Sequence, residues 1–260
     1  MPAPVRLAAA DSSRVWCVSG RRVWIFEPEG DEVAASAIPE ELASLAAGGG
    51  TAVGATSAGV LVWLDPHSGQ AVARAPIGGS PFVVGGDDAV WAIDPASGRA
   101  WHLTEPGTAG EPVAVGDVEL AAPLGDRLWW TAPSDTLLRD GAREVDLGHA
   151  AAERGAMVAC SGAVWVSVHR AVVRVGGWSA DTSPPLAAPE GPVRHLVCAG
   201  GTLVGASGRR GLFTLNPAVD ASIQHHDIDL GGELHALVAA GSAVWAFPSE
   251  RDEARVVALT

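Results

Sequence analysis

The chain has 260 residues, 48% of them hydrophobic and 18% charged, which is enough apolar material for a substantial core and too much for a disordered polymer. Thirty acids against 17 bases leave a net charge of −13, and every base is Arg because the sequence contains no Lys. A chain so acidic repels nucleic acid and anionic membranes at long range, so neither is expected as a partner.

Residues 1–13 hold a single Arg and no continuous apolar stretch, so no secretory leader is expected. From Ser13 onward the chain repeats. Ser13-Arg14-Val15-Trp16 leads an apolar run and is followed by the turn Glu27-Pro28-Glu29-Gly30. Gly50-Thr51-Ala52-Val53 is a related opening without the Trp, followed by Asp65-Pro66-His67-Ser68-Gly69. Asp88-Ala89-Val90-Trp91 runs directly into Asp94-Pro95-Ala96-Ser97-Gly98, one strand earlier than the same turn in the preceding unit. Asp126-Arg127-Leu128-Trp129 and Gly162-Ala163-Val164-Trp165 come next, then the Trp-less Gly201-Thr202-Leu203-Val204 with its turn at Asn216-Pro217, and finally Ser242-Ala243-Val244-Trp245. The five aligned tryptophans are separated by 75, 38, 36 and 80 residues, so the first and last intervals are double steps filled by the Trp-less units.

Asp or Asn accepts a local backbone hydrogen bond, Pro fixes φ and Gly takes positive φ, so these are hairpin turns. Runs rich in Val, Ala, Leu and Trp between them read as antiparallel strands, and no amphipathic helical window competes; residues 38–47 come nearest. Seven units of three to four strands cannot bury their faces singly, but stacked around an axis each sheet covers the next. The expected fold is all-β, a seven-bladed β-propeller spanning residues 1–260 as one domain; the alternative is six blades of about 43 residues. The last unit offers three strands, over 233–241, 242–248 and 255–260, and residues 1–4 are the expected source of a closing strand.

The Gly-x-Val-Trp openings, as in Ser161-Gly162-Ala163-Val164-Trp165-Val166, together with Ile93-Asp94-Pro95-Ala96-Ser97-Gly98, resemble the bacterial propellers that include streptogramin B lyase and the quinoprotein-like and NHL-like repeat proteins. The resemblance covers nearly the whole chain and rests on blade-building residues. It implies a seven-bladed ring. For the lyase it also implies linearising chemistry by His and Glu with a divalent metal, but that enzyme's blades read Gly-x-Leu-Trp-Phe-Thr-Glu. Here Trp245-Ala246-Phe247-Pro248 and Trp165-Val166-Ser167-Val168 break the pattern, so no catalytic residue carries over by position.

A repeat position that is bland in most blades and polar in a few marks where a ring has been specialised. Ten places before the Trp column stand Arg6, Ala43, Pro81, Glu119, Gly155, Arg194 and His235, at the start of the innermost strand. Two places further along, Ala8, Leu45, Val83, Ala121, Met157, Leu196 and Leu237 read as core. The loop after the Trp strand emerges on the same rim and brings Arg21, Arg22, His169, Arg170, Arg209, Arg210, Glu250 and Arg251. His235 and Glu119 are the expected acid/base pair, with His169 and Glu250 in reserve, since imidazole titrates near neutrality and a desolvated carboxylate can be raised toward it. Arg6, Arg194, Arg170, Arg209 and Arg22 are the expected clamp for an anionic small molecule or peptide, and Trp130 either lines that surface or packs between blades.

This predicts a lyase, isomerase or cyclase acting at one end of the channel; the alternative is a non-catalytic interaction or ligand-binding propeller. No cofactor is expected. A divalent metal has only His225-His226-Asp227 or His195 with His235 to offer, and neither has zinc-motif spacing. Cys17, Cys160 and Cys198, odd in number and each inside an apolar run, are expected as buried free thiols of a cytoplasmic monomer.

Overall fold

A computed structural model of the chain describes residues 5–133, 135–148, 154–176, 182–183, 185–187, 191–207, 210–217, 222–249 and 254–258. It contains seven antiparallel sheets, six of four strands and the last of three, each ordered as a simple meander. The innermost strands are Leu7–Ala10, Ser44–Gly48, Phe82–Gly85, Leu120–Leu124, Arg154–Cys160, Val193–Ala199 and Leu234–Ala240. Each lies beside the next and the last beside the first, so the sheets form a closed seven-bladed ring. No helix occurs among the described residues, so none is long and apolar enough to cross a membrane.

The Trp column falls on the second strand of its blades. Trp16, Trp91, Trp129, Trp165 and Trp245 are all buried, each in an apolar cluster that joins two neighbouring sheets. Burying such a ring is worth roughly 2–3 kcal/mol, and an edge-on aromatic fills the wedge between twisted sheets. In the second blade the ring comes from the third strand instead, as Trp63; in the sixth, Phe213 packs back beside Trp165, and the cluster toward the seventh blade is aliphatic. Gly205, directly opposite Phe213, is what makes this fit: a Cβ there would stand 2.1 Å from the Phe213 ring. Trp130, one residue out of the column, is also buried, in the cluster with Trp91, Ile93 and Leu128; it packs between the third and fourth blades and is not on an open surface.

The Asp-Pro turns behave as their chemistry requires. Asp65 Oδ1 accepts from the Ser68 amide at 2.8 Å and the His67 amide at 3.0 Å, and Gly69 has φ 69°. These bonds hold the Asp65 carboxyl below the usual carboxylate range. Asp65 follows the third strand of its blade, Val60–Leu64, whereas Asp94 ends the second strand, Val90–Asp94, so the two similar turns lie on opposite faces of the disc.

Ring closure uses side chains. Trp245 Nε1 donates to Pro28 O at 3.0 Å, and its ring lies 5.4 Å from that of Phe26, joining the last blade to the first. Val5, Val15, Cys17 and Trp24 complete this seam with Ala240 and Phe247. Among the described residues no strand pairs with the outer side of Arg255–Ala258; residues 1–4, the expected closing strand, lie outside the described residues.

The expectation of three free thiols is corrected. Cys160 and Cys198 form a disulfide between the inner strands of the fifth and sixth blades, and only Cys17 is free. The two sit one repeat apart, 38 residues, near the ends of adjacent inner strands, a juxtaposition that needs the ring and is invisible in linear spacing. The cytoplasmic assignment rested on those thiols being reduced, and the cross-link removes that support. Burial pushes the Cys17 thiol up to about 12, which leaves it inert.

Candidate functional site

Each meander starts at one face of the disc, here the rim face, and the first hairpin turns at the other, here the turn face. Arg6, Glu119, Arg194 and His235 all lie on the rim face, as the repeat register requires, and all are exposed. Three of the inner strands carry a register shift there. Arg194 falls between the paired Val193 and His195, and His235 between the paired Leu234 and Ala236, while the fifth blade shifts across Gly155. These are β-bulges, whose extra residue leaves the ladder and re-aims its side chain. That geometry accounts for polar residues at this position in the sixth and seventh blades, because a bulged side chain at a strand entrance meets water.

The rim arginines have acidic neighbours. Arg6 Nη1 lies 3.5 Å from Glu41 Oε1, and Arg194 Nη1 lies 3.7 Å from Glu233 Oε1. Arg74 Nε donates to Glu40 Oε1 at 2.6 Å, and this bond leads the lowering of the Glu40 carboxyl, to which the nearby Arg21 also contributes. All are exposed pairs of small energetic weight, but they offset the positive charge expected of an anion funnel. The His235 ring lies tilted against Phe247 with centroids 6.0 Å apart, and its neighbour His195 makes a contact with Leu234 O at 3.1 Å across the blade junction. Burial, opposed by that carbonyl, lowers the His195 imidazole, so it stays neutral as a blade-to-blade bridge.

Of the other predicted residues, His169 occupies the rim turn of the fifth blade with φ 51°, its carbonyl accepting from Val193 N at 2.9 Å. Arg170 follows it and is exposed, as is Arg22 at the start of the third strand Arg22–Phe26. Arg209, Glu250 and Arg251 lie outside the described residues. Glu119 belongs to the fourth blade and His235 to the seventh, with two blades between them in the ring. His225 and His226 are on the outermost strand of the sixth blade, where His226 Nε2 meets Thr214 Oγ1 at 2.9 Å. Among the described residues no three His, Cys, Asp or Glu side chains gather as a metal-binding group.

The concave feature lies elsewhere. An axial cavity of about 480 Å³ is walled by the inner strands of all seven blades. Its inner level is the column expected to be core: Leu45, Val83, Met157, Leu196 and Leu237 with the small Ala8 and Ala121. From there the wall continues through Ala10, Ala47, Gly85 and Ala239 to the first-hairpin turns, at Asp11, Ser12, Asp87 and Gly241. The cavity therefore reaches the turn face, and Arg6, Glu119, Arg194 and His235 are not among its wall residues.

Small residues at its outer level are a packing requirement. A Cβ on Gly85 would stand 2.0 Å from Ala47 O, and one on Gly48 2.3 Å from Gly86 O, so the second and third blades touch backbone to backbone. Among the described residues the wall carries two ionisable side chains that titrate, Asp11 and Asp87, both acids. Asp11 Oδ1 accepts from Ser13 N at 2.8 Å and Arg14 N at 3.0 Å, while its Oδ2 is buried with no hydrogen-bond partner. Burial, aided by the charge of Asp88, pushes the Asp87 carboxyl up. Sequence reading missed this end because its signals, Asp11 in Asp11-Ser12-Ser13-Arg14 and Asp87 in Gly86-Asp87-Asp88-Ala89, look like ordinary turn chemistry.

No protein-family model matches the chain, and no curated protein matches it. Solved structures do. A catalytically inactive virginiamycin B lyase from Staphylococcus aureus, solved with quinupristin, superposes with TM-score 0.72 at 12% identity, covering 95% of this chain and 92% of that one. The WD40 β-propeller domain of Doa1 gives TM-score 0.67 at 13% identity over 98% and 92% of the two chains. BamB from Moraxella catarrhalis gives 0.57 at 15% over 99% and 84%. The expected resemblance to the propellers of streptogramin B lyase and the quinoprotein-like repeat proteins thus holds for the fold, a seven-bladed β-propeller shared by proteins of unrelated function.

Proposed function

We propose that this chain is a ligand-binding propeller that lodges a small molecule in its axial cavity. The observation that carries the reading is the cavity itself: about 480 Å³, within the range of small-molecule sites, with an apolar inner wall drawn from every blade. Hexanol is a suitable neutral probe, followed through the methyl NMR signals of Leu45, Met157, Leu196 and Leu237. Saturable shifts confined to these methyls, abolished by Ala239→Phe, are the expected result. Shifts that persist in that variant, or that fall on the outer strands, would overturn the reading.

Acid–base chemistry at the rim is the second reading. Its support is that Arg6, Glu119, Arg194 and His235 share one face and that two of them are bulge residues re-aimed from the ladder. It requires His235 and Glu119 to meet around a common substrate, which would be an anionic small molecule. With a substrate in hand, unchanged turnover in His235→Ala would remove it.

A further inference from the structure

We propose that the axial cavity is a slot one ring thick whose ligand is a flat aromatic ring system, and that Ala8 and Ala121, at the two ends of the slot, are the residues that set this specificity. The proposal rests on the ligand-binding reading above and names the chemical class of the ligand. Three observations carry it.

First, the inner level of the wall is uneven in an ordered way. The first and fourth blades contribute Ala8 and Ala121, followed in the strand by Ala9 and Ala122, so neither offers anything longer than a Cβ there. Every other blade places a branched or long side chain at that level. In the ring the first and fourth blades stand nearly opposite each other, with two blades between them on one side and three on the other. The lumen is therefore long from the first blade to the fourth and narrow across. Leu45 and Val83 form one long side, and Met157, Leu196 and Leu237 form the other.

Second, both long sides are built to hold their spacing. The second and third blades meet backbone to backbone, since a Cβ on Gly85 would stand 2.0 Å from Ala47 O. The fifth and sixth are joined by the Cys160–Cys198 bond and by Ser167 Oγ, which donates to Val193 O at 2.9 Å. The sixth meets the seventh through His195 and Leu234 O, 3.1 Å apart. Walls tied in this way do not give way to a thicker guest, so the narrow dimension selects.

Third, the slot widens toward the turn face. At the next level outward five of the blades present only Ala10, Ala47, Gly85, Ala159 and Ala239, none longer than a Cβ. A ring system can pass that level in any orientation and meets its orienting contacts only at the inner one.

A planar ring suits this seat better than a saturated one. Branched side chains facing each other across a narrow gap touch both faces of a flat ring, and the dispersion contacts on the two faces add. The Met157 thioether is a favourable neighbour for an aromatic edge. A saturated ring of the same skeleton is puckered, carries hydrogens on both faces, and has to push the walls apart.

The test is calorimetric titration of the whole chain with 2-naphthol and decahydro-2-naphthol, which share a fused skeleton and a hydroxyl and differ in thickness, with hexanol alongside. 2-Naphthol is expected to bind at least about tenfold more tightly than its saturated counterpart. A round apolar cavity would favour the saturated compound instead, because it is the more hydrophobic of the two. Ala8→Leu and Ala121→Leu shorten the slot from its ends and should each weaken 2-naphthol by at least about tenfold, while hexanol, a thin chain, still binds. Leu45→Ala thickens the slot and should bring decahydro-2-naphthol toward the 2-naphthol value. Equal or tighter binding of the saturated compound would overturn the slot and leave the ligand-binding reading standing. So would 2-naphthol binding that survives both Ala→Leu substitutions, or hexanol binding with neither ring compound bound. Binding of none of the three would overturn both readings. Should an Ala→Leu variant fail to fold, Leu45→Ala decides: the half-buried Leu45 is the least packed way to widen the seat, and no gain for decahydro-2-naphthol would overturn the slot.

Discussion

Removing the Cys160–Cys198 bond should lower the stability of the ring by a large and calculable amount. The disulfide closes a segment of 38 residues. The chain-entropy relation for a loop of that length gives about 4 kcal/mol at 25 °C. For a chain of this size each kcal/mol moves the melting midpoint by about 2–4 °C, so reduction should lower Tm by about 8–16 °C. The measurement is a thermal melt of the oxidised protein, the same protein in reductant, and the double variant Cys160→Ala, Cys198→Ala. Cys160 is buried among Trp165, Leu203 and Phe213, so the variant also sheds a little packing and should melt at or slightly below the reduced protein. A thiol titration in denaturant without reductant should find one reactive group, Cys17. Three thiols, or coincident melts with and without reductant, would refute the reasoning and restore the reduced-thiol expectation.

Burial works to raise the Asp140 carboxyl, but hydrogen bonds from Arg143 and Arg127 outweigh it and hold it below the usual range. A lowered folded pKa means that the unfolded chain takes up the proton first, so this stabilisation is present above the ordinary carboxylate range and is lost as pH falls through the folded value. The difference in urea midpoint between pH 7 and pH 3 should accordingly be larger for the natural protein than for Asp140→Asn. Ser167 is fully buried; its Oγ accepts from Ala156 N at 2.7 Å and donates to Val193 O at 2.9 Å in the next blade. Ser167→Ala strands both backbone groups and should cost about 1–3 kcal/mol in denaturant titration. Gly85→Ala drives a Cβ into Ala47 O, so it should destabilise by at least about 1–3 kcal/mol by the same assay.

What the sequence made legible was whatever repeats. The Trp column, the Asp-Pro turns and the double intervals at the Trp-less units pointed to blade number and strand order, because burial between sheets favours a large ring at one register of the second strand, as in five of the seven blades. Even the anomaly of the third unit was readable, as a turn moved from the third strand of one blade to the second strand of the next. The disulfide was not, since the distance between Cys160 and Cys198 depends on how far the ring rotates per blade. Nor were the bulges: an inner strand of seven residues and one of five look alike until the partner strand shows which residue has no opposite. The polar column lies at the entrances of the inner strands, and the reason for its polarity at Arg194 and His235 waited for the pairing of Val193, His195, Leu234 and Ala236.

The same logic explains why the cavity escaped a search for polar variation. Seven inner strands converge on one axis, so their axial positions are held small or apolar in every blade, as at Ala10, Ala47, Gly85 and Ala239. Under that constraint a ring can carry a charged group at its axis only where a strand has just ended and the turn opens the wall, and there a single Asp suffices. Variation at the rim is permitted because those side chains face water, with Arg6 and Arg194 paired to Glu41 and Glu233. Variation at the turn face is scarce and correspondingly informative. In the Trp register Asp87 stands where other blades have Gly49 and Gly200, and Asp11 where they have Gly48 and Gly86, and among the described residues these two bring the only charge to the wall. In a closed ring the axial residue that departs from small and neutral is the one to question first.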